Sequence, residues 1–139
     1  MLTNRRTIVI EWGDCDPAGV VYYPRYFAYF NACMEVLFEH GGLPRKMREN
    51  KYQILGTPLV DARARFIAPL RYGETAVIES CVTEIRKSSF QVQHKLYKGK
   101  DLAVEAFETR VWAVRSAADP KRMEGRPIPP DVIKRFSKP

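Results

Sequence analysis

The chain has 139 residues, 45% of them hydrophobic and 28% charged, which excludes a disordered polymer and suits one domain, residues 1–139, around a single core. Its 23 lysines and arginines outnumber 16 aspartates and glutamates, and the net charge of +7 points to an anionic partner: nucleic acid, an acidic lipid surface or a phosphate-rich small molecule. No apolar run approaches the roughly 18 residues of a membrane span, and the basic residues fall in scattered pairs, so neither a membrane nor a nucleic acid is the expected partner.

The opening residues MLTNRRTIVIEW contain no apolar stretch followed by a small-residue cleavage site, so no secretory leader is expected. Within them, residues 7–12 are rich in β-branched side chains and predict the first strand. The loop GDCDPAG comes next. Asp16 precedes Pro17, which biases it toward an extended backbone, and Gly19 permits a close approach or an unusual φ. A helix is predicted over 24–39, with Pro24 suited to its first turn and Gly41, Gly42 and Pro44 ending it. Apolar residues fall on nearly every side of this helix. Asn31, Glu35 and Glu39, spaced by four, form one narrow polar stripe, and such a helix is expected to be buried on most sides.

The second half reads as strands over 59–68, 74–87, 89–97 and 102–115. The first of these alternates Val60, Ala62, Ala64 and Phe66 against Asp61, Arg63 and Arg65. The tail PPDVIKRF predicts a last short helix. Long antiparallel strands with one apolar face, curled around one helix, make an α+β fold: a curved antiparallel sheet wrapped around one long central helix. Open sheet edges in such a fold predict association of identical chains. Cys15, Cys33 and Cys81 are too few and too far apart for a disulfide framework or a zinc site, and neither His40 nor His94 lies near them. A reduced, cytoplasmic protein without a metal is therefore expected.

A carboxylate at Asp16, just ahead of a helix N-terminus, carries a chemical implication. The helix end offers free N–H groups and a positive dipole end, which can polarise a carbonyl beside the carboxylate. Against this stands the commoner use of aspartate before a helix, as a cap or a turn former. No serine or cysteine lies near either histidine, so a Ser-His-Asp type triad has no support.

The segment GDCDPAGVVYYPRYF closely resembles the active-site segment of the 4-hydroxybenzoyl-CoA thioesterase family, among the hot-dog-fold acyl-CoA thioesterases. GTPLVDARARF (56–66) and EIRKSSF (84–90) are similar to later segments of that family, in the same order. The resemblance implies the hot-dog fold, an acyl-CoA substrate and no cofactor beyond the coenzyme A which that substrate carries. It also implies a dimer with a continuous sheet, commonly paired again into a homotetramer, with active sites at subunit interfaces. It assigns the catalytic carboxylate to Asp16, the oxyanion-binding amide to Tyr23 and the turn glycine to Gly19. Arg86, Lys87 and Ser89 match positions that hold the CoA phosphates, Arg126 is a further candidate, and Thr57 falls near the acyl end. Asn31 departs from the pattern: the 4-hydroxybenzoyl-CoA enzymes have there an aspartate that binds the phenol hydroxyl. An amide is a weaker acceptor but can itself donate, so a benzoyl group with another substituent, or none, fits as well.

The chemistry implied is modest. A thioester releases a thiolate whose ordinary pKa is about 8.5, so no dedicated general acid is required. Asp16 either attacks the carbonyl to give a mixed anhydride or acts as general base on water. Two alternatives remain at this level: a thioesterase for short or medium aliphatic acyl-CoA or acyl carrier protein thioesters, and a non-enzymatic protein that binds nucleic acid or another anionic ligand.

Overall fold

Four long strands arise from period-2 alternation, and the computed structural model describes all residues 1–139. The elements are β1 (Thr3–Val9), α1 (Tyr23–His40), α2 (Arg45–Asn50), β2 (Leu59–Phe66), β3 (Thr75–Ile85), β4 (Ser89–Lys98), β5 (Asp101–Val111), β6 (Ala113–Arg115), β7 (Met123–Gly125) and α3 (Pro130–Phe136). A five-stranded antiparallel sheet runs in the order β1-β3-β4-β5-β2, and β6 and β7 form a separate two-stranded ribbon. This is the α+β, hot-dog arrangement expected, with the long helix lying against β1 and β3.

The expected boundaries shift in three places. The first strand begins at Thr3 and ends at Val9, because Trp12 to Asp14 turn in a single 3₁₀ step closed by a reciprocal bond pattern between Glu11 and Asp14. The last long strand breaks at Trp112. Its side chain is buried while its amide bonds Ser88 O at 2.8 Å, and the chain leaves the main sheet there to pair with β7. Helix α2 and strand β7 were not anticipated: both are too short to show periodicity.

Helix α1 is also less enclosed than its composition implies. Tyr26, Phe30, Cys33, Met34, Leu37 and Phe38 form the buried face, at the 3–4 spacing of a single stripe. On another face Tyr23, Phe27, Asn31 and Glu35, each four residues apart, make a ridge that the sheet does not cover, and Tyr23 is 61% exposed. Strand β2 is likewise open. It pairs with β5 on one side only, and Val60 and Phe66 are 61% and 50% exposed, so the apolar face of its alternation finds no cover within one chain.

Inward-facing residues of the sheet form two apolar clusters. One holds Val82, Phe90, Val92 and Trp112 with Phe38 and Phe136; the other holds Ile78, Leu96, Val104 and Ala106 with Tyr26 and Phe30. Between them, at the same inward register, lie Ser80, His94 and Glu108, all buried. A polar seam therefore crosses the core beneath α1.

Candidate active site

The DPAG sequence determines its own turn. Asp16 O accepts from Gly19 N at 2.9 Å, Asp16 N donates to Val20 O at 2.9 Å, and Cys15 bridges Val21. Pro17 presets φ for the second turn position, and Gly19, at φ 78°, supplies the left-handed residue that lets the two arms meet. One carboxylate oxygen of Asp16, Oδ1, accepts from Ala18 N at 2.8 Å, and the other makes no hydrogen bond with the protein. Asp16 is thus both a turn former and a carboxylate with one anchored and one free oxygen. Asp14 is occupied structurally: its Oδ2 accepts from Glu11 N at 3.2 Å and its carbonyl from Tyr22 N at 2.8 Å.

The head of α1 presents a free donor. Pro24 has no N–H, Arg25 N donates to Tyr22 O at 2.8 Å, and Tyr22 supplies no side-chain cap. The Tyr23 amide is left without an acceptor at the positive end of the helix. Tyr23 borders a cavity of about 240 Å³ walled by Val21, Tyr26, Phe66, Ile67 and Pro69. The Tyr23 and Phe27 rings approach Phe66 with centroids 6.4 and 6.5 Å away.

Farther along the same ridge, Asn31 and Glu35 line a second cavity of about 390 Å³ together with Thr57, Arg110 and the α2 residues Arg45 and Arg48. Arg48 grips Glu35 through two nitrogens, donates from Nε to Leu43 O at 3.0 Å and lies 4.6 Å above the Phe38 ring. Buried Arg110 uses its whole fork: Nε to Glu108 Oε2 at 2.9 Å, Nη1 to Thr57 O at 3.1 Å and Nη2 to Asn31 Oδ1 at 3.2 Å. Burial alone would push the Glu108 carboxyl up, but His94 and Arg110 beside it hold it below the ordinary glutamate value. His94 Nε2 stands 3.3 Å from Glu108, its Nδ1 is 2.7 Å from Ser80 Oγ, and its ring stacks on Phe30.

The sequence-derived residues thus fall into three groups. Asp16, Gly19 and Tyr23 are at the β2-exit end of the sheet, where Val21 N donates to Leu70 O; Asp16 lines neither cavity. Asn31 and Thr57 share the second cavity. Arg86, Lys87, Ser89 and Arg126 gather at the opposite end, drawn together by Arg86 N to Ser89 O, Ile128 N to Lys87 O and Arg126 N to Trp112 O, each 2.8 Å. Arg86 is held by Glu84 at 3.0 and 3.1 Å and Arg126 by Glu124 at 2.6 Å, all at the surface. Sequence reading missed Glu108 and Arg110. Their signal was present: on β5 the inward register Val104, Ala106, Glu108, Arg110 is an apolar alternation that turns charged, as His94 does on β4.

Comparison with known proteins agrees with this fold. Residues 10–136 match the model of the Thioesterase-like superfamily. The 4-hydroxybenzoyl-CoA thioesterase of Pseudomonas sp. (strain CBS-3) is 36% identical over 131 residues, spanning 89% of this chain and 90% of the relative. Its solved structure superposes with a TM-score of 0.88 at 33% identity, covering 97% of this chain and 99% of that one. A gentisyl-coenzyme A thioesterase gives a TM-score of 0.82 at 27% identity, covering 97% of this chain and 100% of the other.

Proposed function

The chain belongs to the Thioesterase-like superfamily and is a thioester hydrolase, and from that premise we propose that it hydrolyses the CoA thioester of an aromatic, benzoyl-type acid. The observation that carries the acyl class is the open ridge of α1. Tyr23 and Phe27 set aromatic rings on this ridge, each with its centroid within 6.5 Å of the Phe66 ring, so an acyl group whose carbonyl oxygen meets the Tyr23 amide would lie among aromatic side chains. The names of the relatives point the same way, since both act on single-ring aromatic acyl groups.

In this reading Asp16 supplies the nucleophile or the general base through its unbonded oxygen, while the Ala18 amide fixes the direction of the carboxylate. Tyr23 N–H takes up the charge that develops on the thioester oxygen. The departing thiolate needs no dedicated general acid. Gly19 keeps the turn tight enough for the two groups to converge. Thr57 closes the acyl end. Arg86, Lys87, Ser89 and Arg126 receive the CoA phosphates; the pairs with Glu84 and Glu124 are solvent-screened at the surface and yield readily to a phosphate. No cofactor is needed beyond the CoA of the substrate.

A single chain leaves this site incomplete, with its carboxylate and its phosphate ligands at opposite ends of β2. Antiparallel pairing of β2 with the β2 of a second copy sets the exit of one strand beside the start of the other. It also covers the bare Val60 and Phe66. We therefore read the enzyme as a homo-oligomer, dimer or tetramer. A second reading, cleavage of aliphatic acyl-CoA, draws on the Tyr23 cavity, whose walls are almost wholly apolar. Release of CoA thiol from benzoyl-, 4-hydroxybenzoyl-, butyryl- and palmitoyl-CoA, by wild type and Asp16→Asn, tests the proposal. Aromatic turnover falling by about 10³ or more in Asp16→Asn is expected. Aliphatic preference overturns the acyl class, and an undiminished variant overturns the role of Asp16.

A further inference from the structure

We infer that two copies pair edge to edge through β2 about a two-fold axis at Arg63, so that Asp61 of each chain stands opposite Arg65 of the other. That pairing rests on the homo-oligomer reading above and adds its register. The Phe66 ring approaches Tyr23, Tyr26 and Phe27 of α1, so the even-numbered side chains of β2 face the helix and the odd-numbered ones face outward. The outward row, Asp61, Arg63 and Arg65, is exposed, and none of the three has an ion-pair partner in its own chain. The Arg63 guanidinium instead lies over the Phe107 ring of β5, 4.5 Å from its centroid.

Main-chain bonding limits the registers open to this edge. Ile67 N donates to Ala103 O at 2.8 Å, one step beyond the Phe66–Val104 pair, so the odd residues of β2 turn their N–H and C=O toward β5. Ala62, Ala64 and Phe66 therefore turn theirs to the open edge. A two-fold antiparallel pairing that uses most of the strand has its axis at residue 62, 63 or 64. An axis at Ala64 sets Arg63 against Arg65 of the second copy, twice over, and like charges directly opposite are unfavourable. An axis at Ala62 draws Val60, where the β2–β5 register slips, into the ladder and leaves Arg65 without a carboxylate. An axis at Arg63 avoids both. Residues 61–65 then pair between the two slips, Asp61 meets Arg65 reciprocally, and Ala62 meets Ala64 on the inner face. Val60 comes opposite Phe66, so the two bare residues cover one another. The two Arg63 side chains meet at the axis, but each is drawn away over its own Phe107. A slip to either neighbouring register moves the second copy by two residues, about 7 Å, so these charges hold the two halves of the interface site in alignment.

Single cysteines on the edge read the register directly. Residues opposed across the axis have Cα atoms about 4.5–5.5 Å apart and can form a disulfide, whereas residues offset by two lie beyond about 7 Å and cannot. Arg63→Cys is expected to cross-link into a covalent dimer under mild oxidation, with Ala62→Cys and Ala64→Cys at least about tenfold slower. Wild type, with free Cys15, Cys33 and Cys81, supplies the background. Asp61→Arg is expected to raise the dimer dissociation constant by about tenfold in sedimentation, and adding Arg65→Asp to it is expected to recover at least about threefold. Faster cross-linking at position 62 or 64, or no cross-link at position 63 in a dimeric protein, overturns the inference, as does a double variant no tighter than Asp61→Arg. Should a charge variant fail to fold, the three cysteine variants still decide it. A monomeric wild type overturns the homo-oligomer reading instead and takes the inference with it.

Discussion

At the scale of single residues, the most consequential group outside the Asp16 turn is Glu108. It is buried, accepts from Arg110 at 2.9 Å and lies 3.3 Å from His94. Its carboxyl is held below the ordinary glutamate value in the folded chain, against the effect of burial, by its two partners. Because the folded value is the lower one, the unfolded chain binds the extra proton first. The stabilisation is therefore complete above the ordinary glutamate pKa and is lost as pH falls through the folded value. Melting temperature is expected to drop as pH falls below the ordinary glutamate range. Glu108→Gln should begin about 3 kcal/mol less stable at neutral pH, since it leaves Arg110 buried without a counter-charge. It should also lose less over the same acid interval, and chemical denaturation at three pH values would measure both effects. Equal acid sensitivity in the two proteins would mean that other carboxylates govern the acid limb.

At the scale of elements, α2 has the least propensity and the most tertiary support. Six residues are too few to hold a helix in water, and its N-cap is Pro44 with no side-chain bond. What keeps it in position is Arg48, which reaches Glu35 of α1, the Leu43 carbonyl and the Phe38 ring together. Arg48→Ala removes all three and leaves a buried carbonyl unpaired, so a loss of about 2 kcal/mol is expected by denaturant titration. Because α2 walls the Asn31 cavity, the same variant should raise KM more than it lowers kcat. An unchanged KM would show that α2 braces the fold without shaping the pocket.

At the scale of the whole molecule, the open flank formed by β2 and the α1 ridge is the surface on which the proposed assembly rests. An edge strand with Val60 and Phe66 more than half or half exposed, beside a helix face bearing Tyr23, is poorly matched to water. Val60→Lys places a charge on that edge without touching the chain's own core. Sedimentation or light scattering is expected to report a shift from oligomer to monomer, with thioester hydrolysis falling by about 10² or more as the interface site comes apart. A wild type that is monomeric and active would contradict the interface-site reading directly.

The sequence by itself determined the parts that depend on local spacing. Period-2 alternation placed four strands, Pro24 and the Gly41-Gly42 pair bounded α1 to within a residue, and Asp16-Pro17-Ala18-Gly19 specified its own turn because Pro and Gly fix φ where the turn demands it. Only the tertiary structure decided which residues meet across distance. The free amide at Tyr23 follows from its place at the head of the helix beside Pro24 and an absent cap; the break at Trp112 follows from a bond to Ser88; and α2 exists because Arg48 finds Glu35. The link from Ser80 through His94, Glu108 and Arg110 to Asn31 joins four elements whose side chains are neighbours only once the sheet is paired and the helix laid upon it. Spacing along a chain encodes which face a side chain takes. Which partner awaits it there is a property of register and packing, and these are settled only when the strands have paired.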